Sequence, residues 1–535
     1  MGAGVAAALA AALGLAGLGA VLLHPYVTRG FRYPLGWDAP FYVWRAAAVS
    51  VDGLERVGAV RAGLPLLLSG LSALTRRDAF TLVAVVPAVL SGVAGLGSAV
   101  VLRASFDLPT RWVPVAAFLC WAAFGPNEIP LHHLDNLLNA ALVLTALASL
   151  LWVARGSRGA LAGFLLLAAA GVAHWPFYGF ALGVLGLGTL LWWGLGPGPA
   201  RSGPAARVLA ASAASAAVVG PTLLSPPPGG WVGARPGPLR ALLHERIRAR
   251  LDDPHRFYGT AVGALGALGA LRWRLGGGEA QGAAEPGGVD GGGARDGGGA
   301  RGARALLGWL LLAWAVLTAG AVAAQAAGLP TAGARVLSYF FPATLLATLA
   351  TWWAARWVGE RWRGVAGAVA AAAVAGAAVG GFGWLLWGSW DRRHPWFEER
   401  AVAQAAAAGK YLERVAPRGP AVFVLDLRGR EDPHTLGRWW LVVKASLPPE
   451  EVARARRYVG SPADYLAGRP PGPLGEGLPP GEADEAHPDL WAPDAVALVL
   501  ERYNPRGFAE ASARAPERVV APGLLVLRGP LPQSP

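Results

Sequence analysis

With 535 residues, 54% of them hydrophobic and only 15% charged, the chain is too apolar for a soluble globular protein, which carries about 25% charged residues. The net charge of +13 comes almost wholly from arginine, Lys410 and Lys444 being the only lysines. Most arginines lie in short segments between apolar runs, the place of topology determinants, and no nucleic-acid partner is implied. One cysteine, Cys120, falls inside an apolar run. That excludes disulfides, thiolate metal sites and redox pairs, and leaves a small buried side chain.

The first apolar run, 3–23, has no Lys or Arg before it and is followed by more spans, so an uncleaved first helix is expected. Further runs at 80–102, 111–125, 137–154, 159–177, 179–196, 207–224, 258–272, 305–326, 335–358 and 364–388 approach or reach the length that crosses about 30 Å of hydrocarbon. The expected fold is mainly α, a polytopic transmembrane helical bundle of about 11 spans over 1–390. The stretch 64–74, LPLLLSGLSAL, is too short to cross and is expected to lie on the membrane surface.

Segments 103–111, 155–158, 197–206, 272–304 and 356–363 then share one side. Their arginines make it cytoplasmic. Segments 24–79, 126–136, 225–257, 327–334 and the C-terminal region share the other. Arg76, Arg77 and the basic loop 225–257 resist this assignment, and a spanning 64–74 would invert it. The Gly-rich stretch 276–302 cannot bury a core and is expected to be a disordered linker. No internal repeat is apparent. The Ala, Gly, Pro and Arg bias fits a bacterium of high genomic GC content.

From 391 to 535 a small soluble, extracytoplasmic α/β domain is expected. It has an amphipathic helix over 395–415, ended by Pro417 and Gly419, buried strands over 421–427, 495–503 and 523–529, and Pro-rich loops near 468–487. It contains no dinucleotide or phosphate-loop fingerprint.

Chemistry concentrates in the outer segments. Asp38 stands among aromatics in GWDAPFYVWRA, close to Tyr42, directly after the first span. Carboxylates near a membrane are costly and usually functional; the plain alternative is a solvated loop aspartate. GPNEIPLHHLDNLLNAAL (125–142) packs Glu128, His132, His133 and Asp135 into eight residues. A divalent cation such as Mg or Mn would suit them, although the spacing is not specific. A helix N-cap would account for Asp135 alone. His174 sits in GVAHWPFYGF, where a hydrogen-bonded structural role competes with a chemical one. Arg335 opens RVLSYFFPATLL either as a snorkelling anchor or as a phosphate clamp. Arg235, Arg240, His244, Arg246, Arg248, Arg250, His255 and Arg256 would add to such a clamp.

This order of features resembles the GT-C class of polytopic glycosyltransferases, which includes protein mannosyltransferases and the aminoarabinose transferases of lipid A. The features are an aspartate in the first external loop, an interfacial helix, a second acidic loop, a His-Pro-aromatic helix end and a late external arginine. The resemblance implies transfer of a hexose or pentose from a polyprenyl-phosphate-linked donor, on the external face, to an envelope glycan, lipid or protein. It implies Asp38 as the base, Asp135 or Glu128 as a cation or acceptor ligand, and Arg335 on the donor phosphate. It also places the protein in the cytoplasmic membrane among membrane lipids. The first loop departs from the family in carrying one aspartate where a paired acidic motif is usual. Two other functions stay open: a non-catalytic scaffold whose external domain binds envelope partners, and a transporter. The latter predicts ionisable groups in mid-span, and these spans have almost none.

Overall fold

A computed structural model describes residues 19–35, 38–53, 61–124, 134–156, 158–196, 202–224, 264–269, 294–327, 341–362, 364–391, 397–426, 433–452, 454–472 and 488–531, with a few isolated positions besides. Residues 19–28 are helical. In chain order there follow α1 (Ala39–Asp52), α2 (Gly63–Thr75), α3 (Ala79–Phe106), α4 (Val113–Phe124), α5 (Leu134–Ala154), α6 (Ala160–Ala173), α7 (Trp175–Leu195), α8 (Ser202–Leu224), α9 (Ala294–Ala326), α10 (Phe341–Arg361) and α11 (Gly364–Asp391). The C-terminal part holds α12 (Glu399–Val415), β1 (Ala421–Leu425), α13 (Pro433–Ser446), α14 (Pro449–Val452), β2 (Ala455–Val459), α15 (Pro462–Leu466), β3 (Val496–Leu500), α16 (Pro505–Arg514), β4 (Val519–Ala521) and β5 (Leu524–Arg528).

Six of the described helices are long and apolar enough to cross a membrane: Ala79–Phe106, Leu134–Ala154, Trp175–Leu195, Ser202–Pro221, Ala300–Ala324 and Gly364–Trp384. The chain is an integral membrane protein. The expected total of about 11 spans is not reached among the described residues. Three apolar helices, Gly63–Thr75, Thr110–Cys120 and Ala160–Ala173, are short, and most of 258–272 and of the first run lies outside the described residues.

Two expected boundaries move for local reasons. The break placed near 178 falls at His174, whose extended backbone (φ −158°, ψ 93°) separates α6 from α7. Pro176 then occupies the first turn of α7, where its missing N–H costs nothing. Helix α9 begins at Ala294, inside the Gly-rich stretch. Once a span has nucleated a helix, each upstream residue adds a hydrogen bond without a new nucleus, and the buried Ala300 and Ala303 hold this turn in place. The remainder of the stretch, 276–293, is outside the described residues.

The chain divides into two compact units. The first comprises 1–31, 85–225 and 233–393; the second comprises 32–84, 226–232 and 394–535. In the first unit α5 packs on α6, α7 on α9, α8 on α6 and α7, and α10 on α4 and α11. Small residues allow close approach, as is usual where lipid supplies no hydrophobic drive between helices. A Cβ on Gly188 of α7 would lie 2.9 Å from the Leu310 backbone of α9.

The arginine-bearing ends of this unit converge. Arg155 pairs with Asp107 at 2.7 Å and donates to the Ala104 carbonyl. Arg304 donates to the Ser105 carbonyl at 3.1 Å and lies over the Phe106 ring, which in turn meets Trp353. These guanidinium groups satisfy carbonyls that the C-terminal end of α3 leaves open, and the helix dipole favours them there. The loops after α3 and α5 and the start of α9 therefore meet at one end, with Trp353 of α10 beside them, while Leu134, His174 and the His24–Trp387 stack (3.7 Å between centroids) belong to the other.

The second unit combines the first loop and its helices with the C-terminal α/β region. Its sheet has the order β2-β1-β3-β5-β4, with β1 parallel to β2 and β3, and β5 antiparallel to β3 and β4. Every residue of β1 and of β3 is buried, the mark of central strands covered on both faces. Strands 421–425, 496–500 and 524–528 lie where hydrophobic runs placed them. Strand β2, ARRYV, was not expected: as an edge strand it carries two arginines and no apolar run.

Tyr503 is wholly buried and its phenol is pushed far above the usual range, by burial first and by the Glu398 charge second. Burial also raises Tyr411 and Tyr465. A raised folded-state value means that the stabilisation is complete below the unfolded tyrosine value, about 10, and is lost as pH climbs from there toward the folded value. The second unit should therefore unfold on alkaline titration above pH ~10, with tyrosinate absorbance appearing together with loss of circular dichroism. Tyr503→Phe should flatten that dependence; tyrosinate forming well before unfolding would contradict it.

Candidate functional site

Asp38 directly precedes α1 and is only 8% exposed. The solvated-loop reading therefore fails, because a carboxylate so far from water must be matched by polar or charged groups. Its side chain does not cap the helix, while its carbonyl accepts from the Tyr42 N–H at 3.2 Å. Helical spacing sets Asp38, Tyr42 and Arg45 on one face at i, i+4 and i+7, and Tyr42 and Arg45 are buried as well. Arg45 lies 4.9 Å over the Phe41 ring and donates to the Arg61 carbonyl. Its burial was not anticipated, though its spacing from Asp38 is visible in the sequence.

A different face of α1 packs on α13, with α2 and α14 alongside. There the Lys444 ammonium stands 3.7 Å over the Trp44 ring. The helix that begins at Asp38 is thus held by residues almost four hundred positions further along the chain. In the same unit Tyr33 packs on Phe80 and Phe397, and Arg32 pairs with Glu399 at 3.1 Å on the exposed surface.

In the first unit Asp135 is 1% exposed in the opening turn of α5, where backbone donors and the helix dipole favour a carboxylate. It accepts from the Asn136 N–H at 3.0 Å. Four residues on, the Asn139 amide donates to the carbonyls of Ala170 (2.8 Å) and His174 (3.2 Å). That brings the start of α5 beside the α6–α7 break, where His174 stacks on Phe177 at 4.7 Å. Two features separate in the sequence, the start of α5 with Asp135 and the His-Pro-aromatic helix end, thereby meet. Asn139 was missed, although LDNLLNAAL places Asp135 and Asn139 on one helical face.

An apolar groove with a cavity volume of about 40 Å³, partly open to the outside, has Asn139 in its lining. It is walled by faces at helical spacing: Ala140, Val143, Leu144 and Leu147 of α5, Phe177 to Leu185 of α7, and Leu307 to Trp314 of α9.

Asp38 and Tyr42 fall in the second unit, Asp135 and His174 in the first. Glu128, His132, His133, Arg335 and Arg256 lie outside the described residues. Among the described residues no group of three or more His, Cys, Asp or Glu side chains is placed to hold a metal ion.

No known protein-family profile matches the chain, and no curated protein does. Among solved structures the chain is similar to the apo oligosaccharyltransferase of Archaeoglobus fulgidus, with a TM-score of 0.48 and 12% identity over 83% of this chain and 64% of that one. The chain thus spans less than two-thirds of that protein's length.

Proposed function

We propose that this integral membrane protein is a GT-C-type glycosyltransferase. It would move a sugar from a polyprenyl-phosphate-linked donor to an envelope acceptor, on the membrane face opposite the clustered arginines. The observation that carries the reading is Asp38: a buried carboxylate at the head of a helix, sharing a face with Tyr42 and Arg45. Burial of an ionisable group is costly, and such groups concentrate where chemistry is done. The positive-inside rule makes the end bearing Arg103, Arg155 and Arg304 cytoplasmic.

In this reading the Asp38 carboxylate takes the proton of the acceptor hydroxyl as its oxygen attacks the anomeric carbon. The bond from that carbon to the phosphate oxygen breaks, and the phosphate leaves with the electron pair. Arg335 and Arg256 would balance the charge that develops there. Asp135, with Glu128, His132 or His133, would orient the acceptor or hold a Mg or Mn ion, and oxygen and imidazole donors suit such cations. Asp135 supplies the one described carboxylate of that set, so the fit rests on the neighbouring loop. His174 and Tyr42 would each contact substrate, and the C-terminal α/β region would hold α1 in place.

The test is direct. The full chain in lipid nanodiscs is given a panel of polyprenyl-phosphate-linked hexoses and pentoses, with Mg or Mn, together with an envelope extract as acceptor. Release of free polyprenyl phosphate is followed by mass spectrometry. Turnover of one donor is expected; a folded sample that releases none across the panel would return the scaffold reading to first place.

A further inference from the structure

The groove between α5, α7 and α9 carries a polar demand at one end that its apolar walls do not explain. Asn139 is fully buried. Its amide nitrogen donates to two main-chain carbonyls, Ala170 and His174, and this fixes which way round the amide sits: flipping it would set oxygen against two oxygens. The Oδ1 atom is therefore held as an acceptor, and it has no hydrogen-bond partner among the described residues. On the facing helix Trp314 also lines the groove, and its Nε1 donor is buried with no hydrogen-bond partner among them either. Native structures rarely leave such groups unmatched. A water bridging the two would have the minimum of two polar partners and would leave the hydrocarbon walls of the groove uncovered, which a hydroxyl carried on an apolar chain would not.

We infer that this groove binds a single-chain neutral lipid whose polar end is a hydroxyl, donating to Asn139 Oδ1, with the chain laid along Val143, Leu147, Val184 and Leu310. A hydroxyl both donates and accepts, matching an orphan acceptor and an orphan donor on one surface. A phosphate dianion has no proton to offer Oδ1 and would set negative charge against it. The site thus selects a hydroxyl-bearing chain against a phosphorylated carrier head, and goes beyond the transferase reading in assigning a second lipid class.

The probes are a long-chain alcohol carrying a mid-chain diazirine and the same chain ending in a phosphate monoester. Each is photolysed with the full protein in phosphatidylcholine nanodiscs, and the crosslinked peptides are mapped. The alcohol should label 139–147, 177–185 and 307–314 about tenfold more than the phosphate, the worth of one hydrogen bond to a buried acceptor. Asn139→Leu should erase that preference, and Ala181→Trp, which fills the groove without touching Asn139, should abolish labelling by both. Equal labelling by the two probes in the unaltered protein overturns the inference, as does a preference that survives Asn139→Leu. If Asn139→Leu fails to fold, the comparison in the unaltered protein still decides. Labelling needs no turnover, so its failure is distinct from failure of the transfer assay.

Discussion

Asp38→Asn should leave the protein folded and lower sugar transfer by about 10²–10⁴-fold, the usual worth of a positioned general base. The substitution keeps the shape of the side chain and removes both its charge and its capacity to take a proton. Because the amide keeps the shape of the buried side chain at the head of α1 and one hydrogen-bond acceptor, the variant should remain folded. That pairing of lost rate with kept stability is what a catalytic carboxylate predicts and a structural one does not. The measurement is donor turnover alongside thermal unfolding of the same nanodisc preparation. An Asp38→Asn variant that transfers at the original rate removes the base from the mechanism; one that unfolds marks Asp38 as structural.

The second large effect concerns how α1 is held. Trp44 is buried between α1 and its neighbours, and the Lys444 ammonium stands 3.7 Å over its ring. Trp44→Ala removes a large buried aromatic and should destabilise the second unit by about 3–5 kcal/mol. Lys444→Ala removes the ammonium that stands over the Trp44 and Trp440 rings and should cost about 0.5–2 kcal/mol. Neither residue lies on the helical face of Asp38, Tyr42 and Arg45, so any loss of transfer should track the loss of stability and recover in Trp44→Phe, which keeps an apolar ring. Denaturant unfolding followed by circular dichroism checks the ranking. Equal and negligible costs for the two alanine variants would show that α13 does not hold α1.

How far the sequence could be read depended on the distance over which each feature is determined. Spans such as α3, α5 and α7 announce themselves by length and hydropathy, because a helix satisfies its own backbone and needs no partner to be recognised. Strands β1, β3 and β5 were visible as apolar runs for a related reason, being buried on both faces. The edge strand β2 was not, since half its environment is solvent and Arg456 and Arg457 break the pattern. The His174 break was displaced by a few residues because the weight of an apolar run hid the local instruction in Pro176.

The site divides in the same way. Residue types and local setting singled out Asp38, Asp135 and His174, for a carboxylate or imidazole beside a span is conspicuous in an apolar chain. Asn139 was passed over, because an amide inside a span is unremarkable until its nitrogen is found between two carbonyls of other helices.

By itself, then, the sequence determined that this is a polytopic membrane protein with an α/β region at its C-terminal end, where the arginines gather, and which segments are candidates for chemistry. Those are properties of composition and of contacts within a few turns. Only the tertiary structure decided that Asp38 is buried, that α1 is held by α13, that Asn139 joins α5 to the α6–α7 break, and that a groove opens there. Each depends on side chains between about thirty and four hundred residues apart, and such pairings follow from packing complementarity, which leaves no periodic trace along the chain.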